Sequence, residues 1–265
     1  MKLLLTGEDG FTFNALSNAK TLKIIADDLH LYEISTIWFR PSFGRGAGVR
    51  TNELERGYSG FGESDALLIG KDKDGFTTLV FIESKKGAVN KGTVKNNQLE
   101  YQFFLKIALI YCIKKQPVTK KFDDKDGEYY VVENYEKKED EALDFFGQKL
   151  MDLYRAYKKS NKDPNPTRKN GWLIKSGSKD SPALLNLVEL IESNENKINV
   201  KFYALGFSTK QESAGSKLFY EGLCLPLEIK EILDSVNLKI ESGLHIPYRT
   251  FSVKKVIEMD LQTSG

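Results

Sequence analysis

Residues 78–85 read TLVFIESK, and this octet limits the fold more than any other stretch of the chain. At the period of a strand, Leu79, Phe81, Glu83 and Lys85 face one way, and Val80, Ile82 and Ser84 face the other. Both faces are apolar until the last residues. Such a strand must be central in a sheet and covered on both sides, which calls for helices packed against the sheet. A second apolar run, ALLI at 66–69, precedes it, and the polar GKDKDG at 70–75 has the composition of a turn. The two runs read as an antiparallel hairpin. The start of one strand then lies beside the end of the other, so Asp65 falls near Glu83 and Lys85.

The rest of the chain supplies the covering layers. Leu16, Ala19, Leu22, Ile25 and Ala26 recur at helical spacing within 13–33, followed by a short strand at 34–40. Residues 40–50, RPSFGRGAGVR, form a glycine-rich basic loop. Residues 97–115, with Asn96 or Asn97 as N-cap, give the clearest helix, apolar around most of its circumference in the second half. The charged stretch 116–140 has the pattern of a hairpin, with EYYVVENY as one strand and KFDDKDGE as its turn. Residues 141–159 read as a helix, 160–171 as a loop and GWLIKSG as a short strand. A helix at 181–194 carries Ser181 as cap and Pro182 in its first position. A strand at 197–208, a helix at 225–237 and a strand or strand pair at 245–259 follow. There is no internal repeat. The fold class is therefore α/β or α+β, with a mixed sheet, in one domain spanning 1–265 and a candidate insertion at 116–170.

Composition narrows the function classes. The 265 residues are 40% hydrophobic and 29% charged, with 39 basic and 37 acidic side chains. A net charge of +2 neither demands nor excludes a polyanionic partner, so the distribution of charge decides. The two cysteines, Cys112 and Cys224, lie in apolar runs and read as buried thiols of a reducing compartment. Two histidines, His30 and His245, and two cysteines far apart in sequence do not make a zinc site. No nucleophile elbow accompanies a Ser-His-Asp set. The sequence GRGAG lacks the context of a phosphate-binding loop. The first ten residues hold too short an apolar run for a signal peptide, and no run reaches the roughly 18 residues of a membrane helix. The chain is read as cytoplasmic, with no membrane partner.

Two carboxylates at the rim of a sheet form a hard oxygen site. Mg²⁺ is held by one or two carboxylates together with waters and phosphate oxygens, and the Ser84 backbone carbonyl is a further ligand candidate. A lysine beside the ion can orient a water or balance the charge developing on an attacked phosphate. Glu-x-Lys on a strand is often only a solvated ion pair worth at most ~1 kcal/mol. The burial implied by the apolar faces, and the second carboxylate at Asp65, favour chemistry over that reading.

An Asp that opens one strand, Glu-x-Lys on the next and a helix after them resemble the PD-(D/E)XK nuclease superfamily, the restriction-endonuclease-like fold. Here the pattern is S-D65-A-L-L-I, then F-I-E83-S-K85-K, then the helix from about Asn97, and the resemblance covers about residues 13–115. Ser64 stands where the family name has proline, a departure many members share. The resemblance implies a core of helix, three strands, helix and strand. It implies Asp65 and Glu83 as metal ligands, Lys85 as the catalytic lysine, and Mg²⁺ as cofactor with Mn²⁺ as substitute. Some members carry Gln-x-x-x-Tyr on the following helix; Gln98 and Tyr101 miss that spacing, although Gln98 remains an accessory candidate. Some add a Glu from the first helix, for which Glu33, Asp27 and Asp28 are candidates. The implied activity is hydrolysis of DNA phosphodiester bonds, as in type II restriction enzymes, with repair and defence nucleases equally in view. A non-catalytic nucleic-acid- or protein-binding protein of the same fold is the alternative.

Basic clusters mark the expected DNA surface. Lys86, Lys91 and Lys95 leave the proposed site without an intervening acid. Arg40 and Arg45 lie in the glycine-rich loop. Residues 153–179, including Arg168 and Lys169, carry a further cluster with Asp163 as its one acid. Double-stranded DNA is the expected partner, and a homodimer is compatible with the length.

Overall fold

The computed structural model describes residues 7–41, 43, 63–86, 99–115, 118–123, 127–132, 182–194, 198–208, 218–221, 227–240 and 245–252. Five helices are described: α1 (Gly7–Ser17), α2 (Ala19–Asp28), α3 (Leu99–Lys115), α4 (Pro182–Glu192) and α5 (Leu227–Asp234). The strands are β1 (Leu31–Phe39), β2 (Ala66–Asp72), β3 (Thr77–Lys86), β4 (Val118–Asp123), β5 (Gly127–Val132), β6 (Ile198–Ser208), β7 (Leu218–Glu221), β8 (Leu238–Ile240) and β9 (His245–Ser252).

Seven strands form one mixed sheet in the order β1-β2-β3-β6-β9-β7, with β8 pairing alongside β6. The β1–β2–β3 meander is antiparallel, β6 runs parallel to β3, and β9 runs parallel to β6. The β4–β5 hairpin stands apart as its own two-stranded sheet. The class is α+β, a mixed sheet with helices. No helix among the described residues is long and apolar enough to cross a membrane.

β3 is central and covered on both faces, as TLVFIESK requires. On one face Val80 and Ile82 join Leu68, Tyr203 and Leu205 beneath Leu16 of α1 and Ile25 of α2. On the other, Phe81 packs edge-on to Phe43 and stacks with Phe202, and Phe103 of α3 lies on Phe202. Full burial of each such side chain contributes on the order of 1.5–3 kcal/mol, so the strand is anchored along its length before it reaches the rim.

Three local expectations change. The helix expected within 13–33 is two helices. The Asn18 side-chain oxygen accepts the N–H groups of Lys20 and Thr21 and starts α2 afresh. The apolar spacing continues across that cap, which is why the pattern reads as one helix. The turn placed at 70–75 begins later, because β2 continues to Asp72. The Asp72 carboxylate then accepts the N–H groups of Asp74 and Phe76, and Gly75 takes φ +79°. Gly70 is a strand residue. A Cβ there would stand 2.2 Å from the Glu33 carbonyl oxygen, where β1 bulges against β2. The short β7 and β8 carry too few residues for a periodicity to be read. The helix, loop and strand expected across 141–177 lie outside the described residues.

α2 is tied down at its end by charge as well as by packing. The Asp28 carboxylate accepts from the Tyr203 hydroxyl at 2.7 Å, from Arg249 Nε at 2.5 Å and from Arg249 Nη2 at 2.8 Å. Lys201 Nζ donates to the Leu29 carbonyl at 2.6 Å. This buried network joins α2 to β6 and β9. Burial and the Asp28 charge together push the Tyr203 hydroxyl pKa well up, so it stays a proton donor.

Candidate active site

The register of the hairpin brings the site together. Ala66 pairs with Ile82, and the Asp65 N–H donates to the Ile82 carbonyl at 3.1 Å. One more step along the ladder places Asp65 opposite Glu83. The Asp65 carboxylate turns toward the backbone of β3 and accepts the Ser84 N–H at 2.6 Å. Burial raises the Asp65 pKa, against the pull of that N–H and of the Lys85 ammonium.

Glu83 shares the α3 face of β3 with Phe81 and is only 5% exposed. Its Oε1 is buried and accepts no hydrogen bond among the described residues. Burial, followed by the Asp65 charge, pushes its pKa up to about 8. A carboxylate left this way is costly to ionise unless a cation approaches it. Lys85 stands at the rim. Its Nζ donates to the Ser84 carbonyl at 2.7 Å and lies 3.9 Å from Glu83 Oε2. The carbonyl expected as a metal ligand therefore accepts the Lys85 ammonium.

Two groups join that the sequence reading did not name. Glu8, in the first turn of α1, brings its Oε1 to 4.0 Å from Lys85 Nζ. Lys106 of α3 is 1% exposed, donates to the Glu63 carbonyl at 3.1 Å and sits 5.8 Å from the Phe43 ring centroid. Burial lowers its pKa, while Glu83, Glu63 and Asp65 draw it back up. Lys106 had one visible signal, a single charge inside the apolar run FFLKIALIYCI. Glu8 had none beyond its place ahead of a helix.

Other expected site residues lie elsewhere. Glu33 is exposed on β1 opposite Lys71, at the far end of the hairpin from Asp65, because the strand begins just after α2 and runs toward the site. Asp27 is exposed at the end of α2, and Asp28 belongs to the Tyr203–Arg249 network. The first-helix carboxylate that reaches the site is Glu8. Arg40 does not present an unpaired guanidinium to a phosphate. Its Nη1 donates to Asp9 at 2.8 Å and its Nη2 to Glu63 at 3.0 Å, which raises its pKa. Lys86 is the last residue of β3. Arg45, Lys91, Lys95, Gln98, Arg168 and Lys169 lie outside the described residues.

The donors fit a small hard dication. Among the described residues no three Asp, Glu, His or Cys side chains form a group that could hold an ion. Mg²⁺ needs only one or two carboxylates because it keeps several waters. Glu83 Oε1, which has no hydrogen-bond partner among the described residues, and the Asp65 carboxylate, whose charge raises the Glu83 pKa, are the two carboxylates available to it. No protein-family model, curated protein or solved structure matches this chain significantly.

Proposed function

We propose that the chain is a Mg²⁺-dependent nuclease with a restriction-endonuclease-like core, hydrolysing phosphodiester bonds of double-stranded DNA. The observation that carries this reading is the meeting of Asp65, Glu83 and Lys85 at one strand end, with a buried Glu83 oxygen that has no hydrogen-bond partner among the described residues. The order of elements supports it: helices α1 and α2, three antiparallel strands, helix α3 and, after β4, β5 and α4, the strand β6 parallel to β3. Cleavage at defined sites, of the restriction type, and action as a homodimer are the finer forms of the proposal.

Asp65 and Glu83 would hold Mg²⁺, with Mn²⁺ as substitute. Bound there, the ion would lower the pKa of a water and neutralise phosphate oxygens. Asp65 is held in orientation by the Ser84 N–H, so its second oxygen keeps a fixed direction. Lys85, fixed by the Ser84 carbonyl, places a positive charge where the attacked phosphate gains negative charge. Water adds to phosphorus and the P–O bond to the leaving oxygen breaks, the attacking water giving up a proton to solvent and the leaving oxygen taking one from it.

The test is incubation of the purified chain with supercoiled and linear DNA in Mg²⁺, Mn²⁺ or EDTA, beside Asp65→Asn and Lys85→Ala. Metal-dependent cleavage lost in both variants supports the proposal, and discrete fragments support the restriction form. DNA binding without cleavage by the unaltered chain favours a non-catalytic binding protein and removes the enzymatic reading.

A further inference from the structure

Ser84 is the hub of the rim. Its N–H holds Asp65 and its carbonyl holds Lys85, so backbone contacts alone fix two of the three proposed catalytic groups. Its side chain does something separate. Ser84 Oγ lies on the opposite face of β3 from Glu83, fully buried, 2.6 Å from the hydroxyl oxygen of Thr12 in α1. Thr12 Oγ1 also lies 2.8 Å from the Glu8 carbonyl oxygen. A hydroxyl has one proton, so when Thr12 donates to Glu8 it accepts from Ser84. The chain of contacts runs from the strand that carries Glu83 and Lys85 to the helix turn that carries Glu8.

A buried hydroxyl pair costs each group its water, which the hydrogen bond between them has to offset. Leu16 and Ile25 already hold the two helices against the sheet. The hydroxyl bridge adds little area. What it adds is a fixed distance between the first turn of α1 and the end of β3.

We infer that Thr12 is a positioning residue: through its hydroxyl bridge to Ser84 it sets the first turn of α1, and with it the Glu8 carboxylate, against the Lys85 ammonium. This rests on the nuclease reading of the site. Glu8 is partly exposed, with 37% of its side chain open, whereas Glu83 is closed in. Glu8 is thus better able than Glu83 to meet solvent and substrate. Its placement decides how Lys85 is shared between the site carboxylates and a phosphate.

The test uses the full chain with Thr12→Val, which keeps the shape and removes the bridge, Thr12→Ser, which keeps the hydroxyl, and Ser84→Ala. Cleavage rate at saturating DNA, DNA affinity, Mn²⁺ affinity and melting temperature are measured for each. Loss of one neutral hydrogen bond corresponds to a roughly 3- to 10-fold slower cleavage rate. The expected result is that loss in Thr12→Val and Ser84→Ala, no further loss in the double variant, recovery in Thr12→Ser and unchanged DNA affinity. Should Thr12→Val instead cleave at the unaltered rate, or the two losses multiply, the positioning role is overturned while the nuclease reading stands. A fall in melting temperature matching the whole rate loss overturns it too, since the bridge would then serve only stability. If the unaltered chain neither binds Mn²⁺ nor cleaves DNA, the nuclease reading falls and takes this role with it.

Discussion

The buried Glu83 carboxyl makes stability without metal depend on pH in a defined direction. Its ordinary pKa of 4.5 is raised to about 8 by burial and by Asp65. In the folded state it keeps its proton across that interval, whereas the unfolded chain releases it. A raised folded value means the stability it contributes is complete below pH 4.5 and is lost as pH rises through about 8. Each pH unit within the window is worth about 1.36 kcal/mol, so the step from about pH 5.5 to about 7.5 removes on the order of 2–3 kcal/mol. Asp65 is shifted the same way by burial, but it is present in both chains compared below. Lys106, lowered to about 8, adds the opposite slope only above that pH. The assay is urea denaturation in EDTA at half-unit intervals from pH 5 to pH 8, for the unaltered chain and for Glu83→Gln. The unaltered chain should lose stability relative to the variant by that amount across the window, and saturating Mg²⁺ should recover most of it at pH 7.5. Parallel curves for the two chains would refute the reasoning, because they would show that Glu83 ionises in the fold as it does in water.

Arg249→Met leaves Asp28 buried without its guanidinium and should destabilise the chain by about 3–5 kcal/mol in denaturant titration. Gly70→Ala pushes a Cβ into the Glu33 carbonyl and should cost about 1–3 kcal/mol, with the cleavage rate of the folded fraction unchanged. Arg40→Ala should leave DNA affinity, measured by fluorescence anisotropy, within about twofold, since its charge is met by Asp9 and Glu63 and exposed pairs contribute at most about 1 kcal/mol.

The hairpin was legible because its determinants are local. Period two in 78–85 set the faces, a short polar turn set the pairing, and together they brought Asp65 to Glu83. Helix α3 was legible for the same reason, through an apolar run with no competing pattern. The partners of the rim were not. Thr12 and Ser84 are 72 residues apart, and nothing in either segment refers to the other. Arg40 reads as a free cation in a basic loop, and only the fold brings Asp9 and Glu63 to it. Glu33 reads, with Asp27 and Asp28, as a carboxylate near the first helix; it belongs to the edge strand, and the strand's direction carries it away from the site. Asn18 was hidden in the middle of an unbroken apolar spacing, where only its side-chain geometry reveals a cap.

The proposed ion site is tested most directly by anomalous diffraction from crystals soaked in Mn²⁺. The account predicts one strong peak at inner-sphere distance, about 2.1 Å, from carboxylate oxygens of both Asp65 and Glu83, and its absence in Asp65→Asn. A peak on other residues, or none at saturating Mn²⁺, would contradict it.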